Sequence, residues 1–472
     1  MAVLLGVFDW TQGDEPVPNI VLMMCDDLGY GDTGFTGNKI IRTPNLDQLA
    51  EEGMVLNHFY SIGPVCSPTR ASYLTGRHHF RMGIWTANTG HLPREEYTIA
   101  RMLRKRGYAT GHFGKWHLGT LSRTVSSKGS KRRPDLHFSP PWERDYDTSF
   151  VTESATATWD PGVGPRSKDN PYYFNSKPET ENLMGCDSRV IMDRVLPFIR
   201  ASVREEKPFL AVVWFHAPHE DILAGPEYLA MYPNHGEAAH YYGCVTAVDD
   251  QVGRLRQELV KLGVAENTAL FFCSDNGPEG KLPKDPALTR RAGRSDPFRG
   301  RKRMLLEGGV RVPALAYWPG RIEAGSACDV PISVMDYLPT ISAMTGGKLK
   351  EGRLIDGENV LSVLAGNKVD REKAISFRFG KSASLVDDGY KLIIGSSLKS
   401  ENDQLFHLSD DPRELRNLAA DQPERVAKMR RELMAFLESA SESHRGRDYD
   451  TRDYRVVDRW HPLPEKASKK RR

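Results

Sequence analysis

The residue with the clearest chemical potential is a cysteine at the start of a predicted helix. Cys66 opens the string Cys-Ser-Pro-Thr-Arg, and a short helix-forming run follows that closes at Thr-Gly-Arg. Unpaired backbone N–H groups and the helix dipole favour an anion at such a position. Arg70 lies one helical turn further on, so both side chains share a face. The pattern predicts a nucleophile beside an anion-binding guanidinium, and a buried cysteine in an ordinary capping turn is the alternative.

Acidic and amide side chains follow two apolar runs that are typical of buried parallel strands. Asp26 and Asp27 follow the first run, and Asp275 and Asn276 follow the second. Ligand sites in open α/β sheets collect at the carboxyl ends of strands. An all-oxygen ligand set suits Ca²⁺ or Mg²⁺ and argues against zinc, which favours histidine and cysteine. Each pair alone would more often be a solvated turn.

A lysine and a histidine stand two residues apart where another predicted strand, residues 108–113, ends. They are Lys115 and His117. An extended backbone would project both side chains to the same side of the sheet. Aimed at one point, the two groups can neutralise an anion and move a proton. A single pair of this kind is more often a surface feature.

The elements that must position these residues can be traced from apolar periodicity. Predicted buried strands cover residues 19–24, 208–215, 269–273 and 314–319. A long helix over residues 235–262 carries Asp249 and Asp250, which we interpret as solvated or structural and not as catalytic. Residues 120–184 show little periodicity, which predicts a long irregular region. A local basic patch in this region fits an anionic substrate and a solvated loop equally well; its members are Lys128, Lys131, Arg132 and Arg133.

Several of these strings resemble, in the same order, those of type I sulfatases in the alkaline phosphatase superfamily. The matching strings are Asp-Asp-Leu-Gly-Tyr-Gly-Asp from Asp26, Cys-Ser-Pro-Thr-Arg with Thr-Gly-Arg from Cys66, Gly-Lys-Trp-His-Leu-Gly from Gly114, and Glu-Gly-Gly-Val-Arg-Val-Pro from Glu307. The resemblance spans roughly residues 19–437. Because each site motif falls at a predicted strand end, local structure and motif agree.

In that family a separate enzyme oxidises the cysteine to formylglycine, an aldehyde whose hydrate supplies the attacking oxygen. The resemblance implies that Cys66 is the residue converted. It implies a Ca²⁺ ion, or Mg²⁺, held by Asp26, Asp27, Asp275 and Asn276. It also implies a set of residues that hold the sulfate or react with it, namely Cys66, Arg70, Lys115, His117, His219 and Lys302.

The resemblance also implies an order of proton transfers. One hydroxyl of the hydrate attacks sulfur with help from Asp275, and His219 or Lys302 protonates the departing alcohol. His117 then takes the proton of the second hydroxyl as sulfate leaves and the aldehyde re-forms. His216 is the alternative to His219, because the proline that the family commonly has two residues further on is absent here.

The implied activity is hydrolysis of a sulfate ester to an alcohol and inorganic sulfate. The expected partners are a small-molecule or oligosaccharide sulfate ester and a formylglycine-generating enzyme. A basic cluster near Lys302 favours a sulfated carbohydrate; it contains Arg290, Arg291, Arg294, Arg299, Arg301 and Arg303. The alternatives are a phosphoester hydrolase of the same superfamily and, if Cys66 stays unmodified, a noncatalytic binder of sulfated glycans.

Composition limits the remaining classes of protein. The 472 residues carry a formal net charge of only +3, which gives no indication of a nucleic-acid partner. Six scattered cysteines indicate neither a metal site of the CxxC type nor a dense disulfide framework. No apolar run approaches the roughly 20 residues that span a bilayer. Residues 1–8 lack the basic start of a signal peptide, so export to a periplasm, a lysosome or the exterior stays open.

The predicted fold class is α/β. Residues 1–366 are expected to form a large alkaline-phosphatase-like domain with a mixed, mainly parallel sheet flanked by helices. Residues 367–443 are expected to form a smaller α+β C-terminal domain with a short antiparallel sheet. Residues 444–472 are charged and unpatterned, which predicts a flexible tail.

Overall fold

The structure, a computed structural model, describes residues 16–129, 132–164, 166–282, 284–367, 369–395 and 402–449. These ranges do not include residues 1–8, Lys131 or most of the predicted tail. Within them, none of the helices combines the length and apolarity needed to cross a bilayer.

The described residues form sixteen strands and ten α-helices. The strands are β1 (Asn19–Cys25), β2 (Met54–Leu56), β3 (Phe59–Tyr60), β4 (Ala109–Lys115), β5 (Thr148–Thr152), β6 (Tyr173–Phe174), β7 (Lys177–Pro178), β8 (Phe209–Trp214), β9 (Thr268–Ser274), β10 (Ala314–Tyr317), β11 (Ser326–Cys328), β12 (Ile332–Ser333), β13 (Ile375–Phe379), β14 (Ser382–Asp387), β15 (Tyr390–Ile394) and β16 (Gln404–His407). The helices are α1 (Pro44–Glu52), α2 (Cys66–Thr75), α3 (Ile99–Arg104), α4 (Asp187–Arg204), α5 (Pro226–Leu229), α6 (Ala238–Lys261), α7 (Glu307–Val310), α8 (Tyr337–Thr345), α9 (Leu361–Leu364) and α10 (Pro423–His444).

Ten strands make the central sheet, in the order β11-β2-β10-β9-β1-β8-β4-β5-β6-β7. The pairings from β9 through β1, β8 and β4 to β5 are all parallel, whereas β10 runs antiparallel to its neighbours. The prediction of a mixed, mainly parallel sheet in an α/β protein is therefore confirmed.

The central strand β1 is buried on both faces. Its side chains Ile20, Leu22 and Met24 enter one apolar cluster, which also contains residues of α2, α3 and α8. The intervening side chains of β1 enter a second cluster with residues of α1, α4 and α6. Because successive side chains of a strand point to opposite faces, the apolar run in the sequence is continuous.

The register of the sheet determines which polar residues meet at its edge. Cys25 pairs with Ser274, so the residues that follow, Asp26 and Asp275, leave β1 and β9 side by side. On the other side of β1, strands β8 and β4 run in the same direction, and Lys115 is the last residue of β4. The carboxyl ends of β1, β4, β8 and β9 form one edge, which we call the C-terminal edge.

The region that looked irregular in the sequence contributes to this sheet. Strand β5 lies within residues 120–184 and pairs in parallel with β4, and β6 and β7 extend the sheet beyond it. Only Phe150 and Val151 are apolar in the strand Thr148–Thr152, so its run is too short for periodicity to detect. The expectation of an irregular region was therefore wrong for the residues of β5, β6 and β7.

Asp249 has the structural role expected of it. Its carboxylate accepts the backbone N–H groups of Leu46 at 2.7 Å and Asn45 at 3.1 Å, at the start of α1. Asp250 accepts the hydroxyl of Tyr228 at 2.9 Å. A carboxylate at a helix N-terminus satisfies unpaired donors, so Asp249 ties α1 to α6, whereas Asp250 ties α5 to α6, and both lie outside the candidate site.

A small antiparallel sheet of β13, β14, β15 and β16 confirms the second sheet predicted near the C-terminus. Helix α10 covers it through apolar side chains such as Met429 and Leu433. The residues after α10 return to the large part of the molecule. The Tyr449 hydroxyl donates to Glu96 at 2.5 Å, and Asp448 forms an ion pair with Arg77 at 2.7 Å.

Candidate active site

Three buried carboxylates and three buried cations meet at the C-terminal edge. The Lys115 ammonium lies 2.5 Å from Asp26, and the Arg70 guanidinium donates to Asp275 at 2.7 and 3.1 Å. The Lys302 ammonium donates to both carboxylate oxygens of Asp27, at 2.6 and 2.7 Å. A buried charge without a partner is costly, so these opposite charges stabilise one another, although burial and then Asp26 raise the pKa of Asp275 to about 7.

Helix α2 places Cys66 beside these carboxylates. Cys66 is the first residue of the helix, and all ten residues from Cys66 to Thr75 are buried. Its sulfur and a carboxylate oxygen from each of Asp26 and Asp275 lie within 4.8 Å of one another. Arg70, one turn further on, stacks over Trp214 and donates to the Lys115 carbonyl at 3.3 Å. The sequence expectation that Cys66 and Arg70 share a helix face therefore matches the geometry.

The predicted metal ligands form a set of oxygen atoms that suits a hard cation. Among the described residues, Asp26 Oδ1 and Asn276 Oδ1 are buried and have no hydrogen-bond partner. The Asn276 amide nitrogen donates to Asp27 Oδ1 at 2.7 Å and to the Gly277 carbonyl at 2.8 Å, which fixes the opposite end of the amide as the oxygen. Asp27 N donates to Asp275 at 3.1 Å and ties the two strand ends together. Unpaired buried oxygens next to further carboxylates fit a divalent cation.

The cations around Asp26 control its charge. Burial alone would raise the pKa of this carboxyl, but Lys115 and then His219, Arg70 and Lys302 together hold it well below its ordinary value. The pKa of Lys302 is raised, because the attraction of Asp27 and then of Cys66 outweighs the effect of burial. Asp26 is therefore ionised and Lys302 protonated at neutral pH.

His219 faces the site, whereas His216 does not. His219 Nε2 lies 3.7 Å from Asp27, and its Nδ1 donates to the Glu220 carbonyl at 2.6 Å. His216 is enclosed in the core, where Thr152 lies 2.7 Å from Nε2 and Asp187 lies 2.8 Å from Nδ1. Both ring nitrogens of His216 thus have partners, and the alternative that His216 is the site histidine does not fit the geometry.

Burial lowers the pKa of His219 to about 4, although Asp26 and Asp27 act in the opposite direction. The ring is therefore neutral at neutral pH. Since Nδ1 carries the proton that is donated to the Glu220 carbonyl, Nε2 presents a lone pair to the site.

His117 reaches the site by a turn and not by strand alternation. Strand β4 ends at Lys115, and His117 has a left-handed backbone with φ of 57°. Its carbonyl accepts the Ser67 hydroxyl at 2.7 Å, so the residue is tied to α2. Both ring nitrogens are buried and have no hydrogen-bond partner among the described residues. Burial, followed by the charges of Lys115 and Lys128, holds the pKa of His117 well below its ordinary value, so the ring is a neutral proton acceptor.

A residue that the sequence analysis did not select supports Lys302. Glu279 lies 3.4 Å from the Lys302 ammonium and also forms an ion pair with Arg303 at 2.5 Å. Burial would raise the pKa of Glu279, but Arg303 and Lys302 lower it to about 2. Its position shortly after Asp275 and Asn276 in the sequence is the signal that could have identified it.

A second group of buried charges links the segment that carries Lys302 to the small C-terminal sheet. Glu307, which begins α7, accepts Lys391 of β15 at 2.8 Å and the Tyr60 hydroxyl at 3.0 Å. Glu414 lies 3.1 Å from the same ammonium and accepts the Glu307 backbone N–H at 2.8 Å. Sequence reasoning found Glu307 in a motif but missed Lys391 and Glu414, because nothing local marks these partners.

The arginine-rich cluster near Lys302 is largely neutralised. Arg290 forms an ion pair with Glu237, Arg291 with Glu220, Arg294 with Asp296 and Arg303 with Glu279. Arg301 donates to two backbone carbonyls, and Arg299 lies over the Phe406 ring. The cluster thus offers less free positive charge than the sequence indicated, and a sulfated substrate has to be argued from other residues.

The chain shares its sequence and its fold with known proteins. A family model described as Sulfatase matches residues 18–347, and one described as N-sulphoglucosamine sulphohydrolase, C-terminal, matches residues 300–442. N-acetylgalactosamine-6-sulfatase of Rattus norvegicus is 34% identical over an alignment of 380 residues that covers 76% of this chain and 68% of that protein. Steryl-sulfatase of Mus musculus is 32% identical over 431 residues, covering 77% of this chain and 67% of that protein.

A solved structure extends the similarity to three dimensions. The crystal structure of Ps i-CgsB in complex with k-i-k-neocarrahexaose superposes with a TM-score of 0.78 at 28% identity, over 89% of this chain and 93% of that one. The family match at residues 18–347 includes every predicted site residue, from Asp26 to Lys302. The chain belongs to the sulfatase family and is a sulfuric ester hydrolase.

Proposed function

We propose that this protein hydrolyses a sulfate ester of a sulfated carbohydrate, using a formylglycine formed from Cys66 and a divalent cation. The observation that carries the proposal is the convergence of Cys66, Asp26 and Asp275 within 4.8 Å at the C-terminal edge. The relatives named for N-acetylgalactosamine-6-sulfate and the neighbour bound to neocarrahexaose support a carbohydrate as the alcohol.

The cation would be held by Asp26, Asp27, Asp275 and Asn276. A Ca²⁺ or Mg²⁺ ion supplies positive charge that withdraws electron density from the sulfate oxygens. Asp26 Oδ1 and Asn276 Oδ1 are the atoms with free acceptor capacity for it. The sulfate itself would be bound by Arg70, Lys115 and Lys302, which together offset the repulsion between its oxygens and an approaching nucleophile.

The chemistry starts from the hydrate of the aldehyde at position 66. One hydroxyl oxygen attacks sulfur while Asp275 accepts its proton, and the bond from sulfur to the substrate oxygen breaks. Lys302 is protonated at neutral pH, whereas His219 becomes protonated only when an anion raises its pKa from about 4. Either group can deliver the proton that the departing alcohol needs.

Release of sulfate uses the second hydroxyl of the hydrate. His117 accepts its proton, the bond between the carbon of residue 66 and the sulfate oxygen breaks, and the aldehyde re-forms. Burial and the neighbouring cations keep the His117 ring neutral, which is the state that a base requires. Sulfate therefore leaves by elimination, without attack of water at the hindered sulfur.

We also propose separate roles for two parts of the chain. Residues 1–366 would form the catalytic domain and residues 367–443 a C-terminal subdomain that holds the segment carrying Lys302. The contacts of Lys391 with Glu307 and Glu414 support this role. A formylglycine-generating enzyme is the partner that would convert Cys66 before the first turnover.

The test is an assay of the protein co-expressed with a formylglycine-generating enzyme. The panel contains mono- and disulfated galactose, N-acetylgalactosamine and glucosamine, a simple aryl sulfate, and matched phosphate esters. We expect release of inorganic sulfate from at least one sulfated sugar, together with a lower mass for the peptide that contains residue 66. Preferential cleavage of the phosphate esters, or binding of sulfated sugars without turnover after full conversion, would overturn the proposal.

A further inference from the structure

Residues 126–129 of the irregular region, here called the fastened segment, are held by hydrogen bonds beside the candidate site. The Ser126 hydroxyl donates to the Glu153 carboxylate at 2.8 Å, and the Ser127 backbone N–H donates to its other oxygen at 3.2 Å. The Ser127 hydroxyl also bonds Ser154 at 2.9 Å. Glu153 and Ser154 directly follow β5, so the segment is held at the end of a sheet strand.

The same strand end is bonded to the site. The Glu153 carbonyl accepts the His117 backbone N–H at 3.0 Å. Further along the chain, Arg132 donates to the His117 carbonyl at 3.4 Å and lies 3.9 Å from the Glu153 carboxylate. In the sequence, Lys128 lies between Ser127 and Arg132, both of which have these contacts with the end of β5.

Within the part of the chain that the structure describes, Lys128 differs from the other cations of the site in having no carboxylate partner. Arg70, Lys115 and Lys302 each have a carboxylate within 3.1 Å. Among the described residues, no carboxylate lies within ion-pair distance of the Lys128 ammonium, and Glu153 is occupied by Ser126, Ser127 and Arg132.

The surroundings of Lys128 make this charge costly. Burial, followed by the like charge of Lys115, lowers the pKa of Lys128 to about 8. Arg132 acts in the same direction, whereas Cys66 and Glu153 raise the pKa. A half-buried ammonium that faces like charges and has no carboxylate partner among the described residues is the arrangement expected where a ligand supplies the anion.

We propose that Lys128 is a substrate-binding residue that contacts a second anionic group, a sulfate or a carboxylate, carried by the substrate beside the sulfate that is cleaved. This inference rests on the proposed sulfatase activity and assigns it a substrate class, the multiply anionic saccharides. The reacting sulfate carries one negative charge and has Arg70, Lys115 and Lys302 to bind it. Lys128 adds positive charge on the side of the site formed by the fastened segment, where a neighbouring substituent of the sugar can reach it.

The first test compares two substrates in steady-state kinetics. One is the best substrate of the panel described above with a second sulfate, and the other is the same sugar with only the sulfate that is cleaved. Loss of a hydrogen bond to a charged group predicts that Lys128→Met lowers kcat/KM for the doubly sulfated sugar about 10- to 100-fold, mainly through KM. The monosulfated sugar should show a much smaller change, because it lacks the second anion and is affected only through the contribution of Lys128 to the pKa of His117.

Two variants serve as controls. Lys128→Arg keeps the positive charge and should retain most of the preference for the doubly sulfated sugar. Lys168→Met removes an exposed lysine from the same irregular region and should change neither substrate. Equal losses on both sugars in Lys128→Met would mean that Lys128 binds the reacting sulfate, and no loss on either would mean that it binds no substrate group; both results overturn the proposal.

A second measurement is independent of turnover. Brief acylation with acetic anhydride at pH 8, followed by peptide mass analysis, reports the reactivity of each lysine. The doubly sulfated sugar should protect Lys128 more than its monosulfated analogue does, with Lys168 as the unprotected reference. Equal or absent protection overturns the role of Lys128. If the wild-type protein releases no sulfate from any panel member, the proposed function fails, and the labelling result still decides whether Lys128 binds the second anion.

Discussion

Replacement of Lys391 by methionine should test how the small C-terminal sheet supports the site. The Lys391 side chain is fully buried and lies 2.8 Å from Glu307 and 3.1 Å from Glu414. Methionine fills a similar volume but removes the cation that Glu307 and Glu414 share, and leaves Glu307 with Arg311 at 3.4 Å. Removing one partner of a buried ionic network costs about 3–5 kcal/mol. That is a large share of the roughly 5–15 kcal/mol by which a domain is stable.

The predicted loss depends on pH with a defined sign. In the wild-type protein burial raises the pKa of Glu307, but Lys391 and then Arg311 lower it more, and the net shift is downward. Burial raises the pKa of Glu414 despite the attraction of Lys391. Without Lys391 both folded-state pKa values rise above the unfolded value of about 4.3. The folded variant then binds more protons than the unfolded chain, so its stability falls as pH rises and recovers as pH falls.

The assay is urea unfolding of Lys391→Met and the wild-type protein at pH 5 and pH 8. We expect a loss in the free energy of unfolding of about 3–5 kcal/mol at pH 8 and a smaller loss at pH 5. Lys381→Met removes an exposed lysine from the turn between β13 and β14 and should stay within about 0.5 kcal/mol. The double variant Glu307→Gln with Lys391→Met should regain part of the loss. A Lys391→Met protein as stable as the Lys381→Met control at pH 8 would refute the reasoning.

Three further predictions concern the site directly. Cys66→Ala should abolish sulfate release, and Cys66→Ser should accumulate a sulfated protein, detectable by intact mass, because serine lacks the second hydroxyl that expels sulfate. His219→Ala should lower kcat with little change in melting temperature, whereas His216→Ala should lower the melting temperature, since it removes the hydrogen bonds that buried Thr152 and Asp187 form with the ring. For a doubly sulfated sugar, kcat/KM should fall as the pH rises towards 8 and beyond, because burial and then Lys115 lower the pKa of Lys128 to about 8 and conversion of Cys66 removes a group that raises this pKa. The fall should be absent in Lys128→Arg, whose guanidinium stays protonated.

Each of these predictions has an outcome that contradicts it. Full activity of Cys66→Ser would remove the need for the aldehyde. If His216→Ala lost turnover while keeping its melting temperature, our assignment of the two histidines would be reversed. An identical pH profile for the wild-type protein and Lys128→Arg would show that another group causes the decline.

The strand ends that carry the site could be predicted from the sequence because burial on both faces leaves a continuous apolar run. This holds for β1 and β9, whose runs lead directly into Asp26 and Asp275. It fails for β5, an outer strand with two apolar residues, and with β5 the sequence analysis also missed Glu153 and its hydrogen bonds to Ser126 and Ser127, which precede Lys128. Short strands are defined by their neighbours in the sheet, which no local pattern records.

Electrostatic partners that lie far apart in the sequence could not be predicted from it, for the same reason. His216 and His219 are three residues apart in the sequence, and only the positions of Asp187 and Thr152 show that His216 belongs to the core. The arginines near Lys302 looked like free charge until their carboxylate partners were located. Sequence order identifies ionisable groups, but the folded chain decides which of them are already paired.

The measurement that tests the central claim most directly is a crystal structure of the matured protein grown with CaCl₂. We expect formylglycine at position 66 and, next to it, one cation bound to oxygen atoms of Asp26, Asp27, Asp275 and Asn276. An unmodified Cys66 after exposure to the maturating enzyme, or a cation bound elsewhere with these four side chains unliganded, would contradict the account.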